Sequence, residues 1–164
     1  LSLLASAFAL ANGHFLLNYP PTRGFDEDKV RSCIVRGFSS NGTRNPFPLT
    51  DGWVSITSEH PKSFFIVVVS FDEDPTTFSE FNTTSNGTKI PPLEPFTNLF
   101  STGDACVPVN VGATGFAKNG TNATILVQFD GGDGDLFQCS DIVLLDNVKL
   151  PSDAKCSNTT NIFT

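Results

Sequence analysis

One run in the middle of this chain restricts its fold more than any other feature. Residues 64–71 read FFIVVVSF, an apolar and β-branched stretch that is typical of a strand buried on both faces. Such a strand needs hydrogen-bonding neighbours at its edges and side chains packed above and below it. The chain must therefore build a sheet around this segment and cover both faces of that sheet.

Four further segments have the composition of strands. They read DGWVSITSE from residue 51, ACVPVNVGA around residues 107–111, NATILVQF from residue 122 and LFQCSDIVLL from residue 136. Turn-forming residues separate them, and DGGDGD at residues 130–135 fits a hairpin turn better than a calcium loop, which needs a later bidentate Glu. This pattern predicts an all-β, antiparallel β-sandwich with long loops. Helix is expected only as a turn or two near residues 97–101 or in the first loop.

The first residues predict a leader. Residues 1–11 form an uncharged, Leu- and Ala-rich run that is too short to span a bilayer and typical of the apolar region of a signal peptide. Ala11 and Gly13 supply the small residues that signal peptidase needs before its cleavage site. We therefore expect a leader remnant at residues 1–13, a domain at residues 14–156 that begins with His14, and the start of a Ser-, Thr- and Asn-rich tail at residues 157–164. The alternative is a hydrophobic first helix of a cytosolic domain.

Glycosylation motifs and cysteines favour secretion over that alternative. Six asparagines begin an N-x-[ST] sequon without proline: Asn41, Asn82, Asn86, Asn119, Asn122 and Asn158. The four cysteines form an even set, as two disulfides in a secreted domain would require, and they permit three pairings among which the sequence does not choose. A bridge between Cys33 and Cys139 would pin the first loop onto a strand. Cys106 and Cys156 would then hold the C-terminal end.

The charge of the chain limits its partners. The formal net charge is -7, and residues 1–13 contribute none of it. An acidic domain repels nucleic-acid backbones and anionic lipid surfaces, so nucleic-acid binding and direct electrostatic attachment to a membrane are both disfavoured. An acidic surface suits cations instead.

The two histidines carry the most specific chemical hypothesis. Cleavage after residue 13 would give His14 a free α-amine, and His60 lies in the loop SEHPKSF directly before the buried strand. An N-terminal histidine offers its amine and its ring Nδ1 to one metal, and a second imidazole adds a third nitrogen, a donor set that Cu(II) favours. Each histidine alone has an ordinary explanation as a surface or hydrogen-bonding residue. Their combination indicates copper.

Three segments carry a resemblance to a known family. HFLLNYPPTRGFDED from residue 14, GWVSITSEHPKS from residue 52 and DGDLFQCSDI at residues 133–142 together resemble a fungal family of copper-binding proteins, related to lytic polysaccharide monooxygenases but implicated in copper acquisition. The resemblance covers the mature chain, and its opening motif is the most specific part. It implies an immunoglobulin- or fibronectin-like sandwich, a copper-binding histidine brace at His14 and His60, and, in many members, a C-terminal glycolipid (GPI) anchor.

The same resemblance implies that an aspartate approaches the copper. It assigns that role to Asp141 in QCSDI, since a carboxylate in an apolar strand end is costly unless it is paired, hydrogen-bonded or bound to a metal. Asp141 could instead hydrogen-bond backbone at the mouth of the sandwich. Asp26, Asp133 and Asp135 are the alternative carboxylate ligands.

Two further residues near the N-terminus have structural predictions. Tyr19, the only tyrosine, is expected to pack under the N-terminal segment and not to take part in redox chemistry. Arg23 is expected to form an ion pair with Asp26 or Asp28, or to contact the metal ligands without touching the metal itself.

Three functions fit these observations. The first is a secreted or cell-surface Cu(II)-binding protein that passes copper to a transporter or another surface protein and is held to the membrane only by a lipid anchor encoded after residue 164. The second is a copper-dependent polysaccharide monooxygenase, which the single Trp and single Tyr disfavour because such enzymes present aromatic side chains on a flat face. The third is a structural cell-wall glycoprotein with incidental histidines. The absence of a nucleophile-elbow motif disfavours a hydrolase.

Overall fold

Two packed β-sheets make up the described part of the chain. The computed structural model describes residues 14–23, 34, 42–160 and 162–163. The strands there are β1 (Phe15–Tyr19), β2 (Asn45–Pro48), β3 (Gly52–Ser58), β4 (Ser63–Ser70), β5 (Glu94–Leu99), β6 (Gly103–Val109), β7 (Asn122–Asp130), β8 (Asp135–Leu145) and β9 (Ile162–Phe163). Short 3₁₀ helices span Phe78–Phe81 and Gly112–Thr114. The described residues include no helix long and apolar enough to cross a membrane.

The two sheets differ in size. One has the strand order β1-β3-β6 and the other the order β2-β8-β7-β4-β5-β9, with one apolar core between them. This arrangement confirms the predicted all-β sandwich. One pairing at the edge of the larger sheet is parallel, that of β2 with β8. Two of the four residues of β2 are prolines, which confine it to an edge, but composition gives no signal for the direction in which so short a strand pairs.

Strand β4 is covered on both faces, as its sequence predicts. It lies between β7 and β5, and Phe65 and Val69 face the core between the sheets. On the other face Ile66 and Val68 pack with Phe81 of the first 3₁₀ helix. The apolar run therefore supplies side chains to two clusters at once, which explains why it contains no polar alternation.

The prediction of a helical turn near residues 97–101 is wrong. Strand β5 occupies Glu94–Leu99 and pairs with β4, with Leu99 opposite Ser63. Its exposure alternates, since Thr97 and Leu99 are buried while Phe96 and Asn98 are exposed. The pairing with β4 overrides the local sequence, because it buries Leu99 in the core.

The C-terminal segment is joined to both sheets. Cys106 and Cys156 form the predicted disulfide, and the Asn158 Oδ1 accepts a hydrogen bond of 2.7 Å from the Cys106 N–H. Beyond it, β9 pairs with β5, so residues predicted as the start of a tail are part of the sandwich. Cys139 is also disulfide-bonded, but its predicted partner, Cys33, lies outside the described residues.

Candidate metal centre

Strand β1 carries His14 to the end of the sandwich where His60 lies. The strand pairs antiparallel with β3, with Phe15 opposite Ser58. One step further out, the Glu59 N–H donates to the His14 carbonyl at 3.1 Å. Because Glu59 immediately precedes His60, this pairing brings the main chains of the two histidines together.

The ring of His60 is held against the hairpin between β7 and β8. It packs beside Phe129, with ring centroids 5.8 Å apart, and it lies directly on the backbone of Gly131, where an added Cβ would collide with the ring. The Ser58 hydroxyl is 3.3 Å from both the main-chain nitrogen and the carbonyl oxygen of His60 and fixes the turn. These contacts define the position of the imidazole.

The Nε2 atom of His60 is the most unusual atom in this region. It is buried and makes no hydrogen bond within the described residues, while the Asp133 Oδ1 lies 3.8 Å away. A buried polar atom without a partner is destabilising, so a ligand that completes it is favoured; the Tyr19 hydroxyl, the Trp53 Nε1 and the Thr160 hydroxyl are in the same state, but only the imidazole is a good metal ligand. Imidazole nitrogen is the commonest protein ligand of transition metals. The environment of His60 therefore fits a metal-binding nitrogen.

The hairpin contributes one carboxylate to this site. Among its acids, Asp130 accepts a hydrogen bond of 2.6 Å from the Gly132 N–H, and Asp135 accepts one of 2.9 Å from the Gln128 side chain. Asp133 is instead turned towards His60, with its side chain 48% exposed. Two of the alternative carboxylates named from the sequence are thus on the hairpin, and Asp133 is the one beside the histidine.

The structure places Asp141 elsewhere. Its Oδ1 accepts hydrogen bonds from the Arg23 Nη2 at 2.6 Å and from the Thr124 hydroxyl at 2.8 Å, and its side chain is 2% exposed. Asp141 lies six residues along β8 from Asp135, which corresponds to about 20 Å in an extended strand. The structure therefore does not bring Asp141 to His60, and a guanidinium, not a metal, compensates its burial.

Arg23 has partners other than those expected from neighbouring residues. Besides Asp141, its guanidinium contacts Asp74, with an Nη1–Oδ1 distance of 3.3 Å. The expected partners, Asp26 and Asp28, lie outside the described residues. Arg23 therefore ties the N-terminal segment to the second sheet, at the end away from His60.

Tyr19 packs in the core, as expected. Its ring stacks on Phe47 with centroids 5.7 Å apart and lies 5.4 Å from the ring of Trp53. Burial raises the pKa of Tyr19 to about 12, because the phenolate would lose its hydration. The residue thus anchors β1 between the sheets.

Sequence reasoning missed one residue that contacts β1. The side-chain amide of Gln138, on β8, donates to the Phe15 carbonyl at 2.6 Å and accepts from the Leu17 N–H at 2.9 Å. A polar residue in a strand ordinarily indicates an exposed face, so nothing in the local pattern marks Gln138 as buried. What makes Gln138 a buried residue is its hydrogen bond to Leu17 in β1, 121 residues away in the sequence.

The described side chains do not form a complete metal site. Within the described ranges, no three His, Cys, Asp or Glu side chains gather closely enough to hold a metal ion. His14 follows Gly13 in the sequence, so its main-chain nitrogen belongs to a peptide bond. Cleavage of that bond would free an amine donor on His14.

Comparisons with known proteins give a consistent answer. Residues 12–161 match the family described as copper acquisition factor BIM1-like. A protein named Copper acquisition factor BIM1 from Cryptococcus neoformans var. neoformans is 43% identical over 96% of this chain and 70% of its own length. Its namesake from C. neoformans var. grubii is 41% identical over 94% of this chain and 70% of its own. An uncharacterised Aspergillus fumigatus protein is 29% identical over 98% of this chain and 64% of its own.

Proposed function

We propose, from the premise that this chain belongs to the BIM1-like copper acquisition factor family, that it captures Cu(II) outside the cell and hands it on for uptake. Membership confirms the family resemblance inferred from its motifs. The observation that carries the proposal is the unpartnered, buried Nε2 of His60 on a loop paired with His14. Copper is the cargo in this proposal, and it needs no chemical transformation.

The ligand set that we propose begins with cleavage after Gly13. The new amine and the ring of His14 would join His60 in a histidine brace, a set of nitrogen donors suited to Cu(II). Asp133 is the carboxylate that the geometry favours as an additional oxygen donor, since it is the acid beside His60. Asp141 is left out of this set because Arg23 engages it.

Copper titration of secreted protein, with its N-terminus verified by sequencing as His14, tests this proposal. We expect one tight Cu(II) site with an electron paramagnetic resonance signal of several coupled nitrogens. His60→Ala should abolish tight binding, and a matched protein that retains Gly13 should lose it too. Equal affinity in all three proteins would show that the brace is wrong.

We propose that the protein is not a polysaccharide oxidase. The large apolar residues that the described surface exposes are Leu16, Phe96, Phe100 and Phe116. The single Tyr is buried and the single Trp is half-buried, so neither offers a flat stacking face. Copper-loaded protein incubated with cellulose, chitin or xylan and a reductant should release no oxidised oligosaccharide. Release of such products would establish the monooxygenase alternative.

We also propose that the protein is a secreted glycoprotein, held at the cell surface by a C-terminal lipid anchor and acting with a copper transporter. The asparagines of five of the six sequons are exposed and therefore accessible to glycosylation: Asn82, Asn86, Asn119, Asn122 and Asn158. Asn41 lies outside the described residues. Deglycosylation followed by mass spectrometry should show occupied sites, and phospholipase C should release the protein from intact cells. Material that remains intracellular and unglycosylated would contradict this location.

A further inference from the structure

Gln138 is a polar residue in an apolar core. It is 5% exposed and lies on the face of β8 that also carries the core residues Ile142 and Leu144. A buried primary amide is costly to desolvate unless its donor and its acceptor are both used. Both are used here, and both partners are main-chain groups of β1.

The amide of Gln138 acts on the edge of β1 that β3 does not use. In an antiparallel pair, successive residues direct their main-chain groups alternately towards and away from the partner strand. The carbonyl of His14 points towards β3, where the Glu59 N–H meets it. The main-chain groups of Phe15 and Leu17 that Gln138 meets belong to the opposite edge. One side chain thus takes the place of a neighbouring parallel strand for two residues.

This support matters because of where β1 begins. It is a five-residue edge strand of a three-stranded sheet, and in the processed protein it would start one residue after the N-terminus. Terminal strands fray unless they are tied down. Fraying of β1 would move His14 away from His60, whose own position is fixed by Phe129 and Gly131.

We propose that Gln138 is a positioning residue for the N-terminal copper ligand: its two hydrogen bonds to Phe15 and Leu17 fix β1 and so hold His14 beside His60. The inference rests on the proposed function, because it presumes copper binding at that end of the sandwich. Gln138 itself would not touch the metal. It would preorganise the site, so that less conformational entropy is lost when copper binds.

Two variants test the role of Gln138. Gln138→Leu keeps the approximate volume and removes both hydrogen bonds, and Gln138→Asn keeps the amide on a side chain one methylene too short to serve both partners. Ile125→Val is the matched control, because it removes a methylene from the same buried core and leaves both hydrogen bonds to β1 in place. All variants are made in protein processed to begin at His14.

The first readout needs no metal. Amide hydrogen exchange by nuclear magnetic resonance in copper-free protein should show the Leu17 amide exchanging about tenfold faster or more in both Gln138 variants. The amides of β7 should exchange at the wild-type rate once any change in the free energy of global unfolding is taken into account. Unchanged protection of the Leu17 amide would show that the hydrogen bonds of Gln138 do not hold β1 in place, whether or not the protein binds copper.

The second readout is copper affinity. Residues that orient a metal ligand typically change metal affinity by about 10- to 100-fold when they are replaced, so we expect the Cu(II) dissociation constant to rise by that factor in Gln138→Leu. Gln138→Asn decides the question if the Leu variant does not fold. An unchanged constant despite faster Leu17 exchange, or an equal rise in Ile125→Val, would overturn the positioning role. Failure of wild-type protein to bind copper would instead refute the proposed function and leave the exchange result standing.

Discussion

Gly131 determines how closely the hairpin approaches the ring of His60. A Cβ at this position would collide with the ring of His60. We predict that Gly131→Ala displaces the ring and raises the Cu(II) dissociation constant about tenfold, the low end of the range for residues that orient a ligand. Gly134→Ala is the control. Gly134 has a φ of +120°, so an alanine there strains the backbone of the same hairpin, but the added Cβ meets no atom within 4 Å. Equal affinities of the two variants, measured by competitive titration, would contradict this prediction.

Asp141 should matter for stability and not for copper. Asp141→Asn would remove the nearer and more deeply buried of the two carboxylates that compensate the guanidinium of Arg23. Breaking one side of a buried ion pair costs about 3 to 5 kcal/mol, so urea denaturation should show a loss of that order in the free energy of unfolding. The Cu(II) dissociation constant should stay within twofold of wild type. A large loss of copper affinity in protein that remains folded would restore Asp141 as a ligand.

Tyr19 should make the fold sensitive to alkali. Its pKa rises from 10.0 to about 12 on burial, so the folded state holds the proton more tightly than the unfolded state does. The contribution of protonated Tyr19 to the free energy of unfolding is therefore complete below pH 10 and is lost as the pH rises towards 12. Because the chain has one tyrosine, phenolate absorbance reports this residue alone. Denaturation at pH 9 and pH 11 should show a larger loss in wild type than in Tyr19→Phe.

The sequence predicts a nitrogen site at His14 and His60, and the structure brings the main chains of the two loops together; the residues that pack around His60 were not predictable. His14 and His60 were the only candidates for a nitrogen site, and a motif connected them. For the carboxylate, strand parity assigns Asp141 to a face of β8 but does not say which end of that strand lies by His60. The structure answers this through the register of β7 with β8, in which Asp130 faces Asp135. Register of this kind depends on turns and on partners distant in sequence.

At the scale of elements, strands were predictable where burial was continuous. The pattern located β3, β4, β6, β7 and β8, which are rich in apolar residues. It missed β1, although Phe15, Leu17 and Tyr19 alternate with exposed residues, because the apolar leader obscures where that alternation begins. It also missed β5 and β9, whose pairing at the edge of the larger sheet has no local signal.

The C-terminal segment should stabilise the domain through its disulfide. Cys106 and Cys156 are separated by 50 residues, and closing a loop of that length stabilises a fold by about 2 to 4 kcal/mol, mainly by restricting the unfolded chain. The double variant Cys106→Ser with Cys156→Ser should lose that much in urea denaturation and retain its copper affinity. Unchanged stability would mean that the hydrogen bonds of Asn158 and its neighbours already hold this segment.

At the scale of the whole molecule, the buried ion pair and the imidazole nitrogen of His60 lie at different ends of the sandwich. The end that holds Arg23 and Asp141 is neutralised internally, with a guanidinium against a carboxylate. The end that holds His60 leaves a buried nitrogen incomplete. We therefore expect substitutions at the His60 end to leave this ion pair in place.

If His60 binds copper as proposed, its buried Nε2 without a hydrogen bond makes copper-free protein the less stable form. A ligand that binds only the folded state stabilises it, by about 4 kcal/mol at a thousand times the dissociation constant. We predict that Cu(II) raises the melting temperature, and that copper-free His60→Leu melts no lower than copper-free wild type, because a leucine leaves no buried polar atom unsatisfied. A lower melting temperature for that variant would show that the imidazole stabilises the fold without metal. If copper stabilises the fold as predicted, a protease that attacks transiently opened chains would remove copper-free molecules faster than loaded ones, so the lifetime of this protein would report how much copper surrounds it.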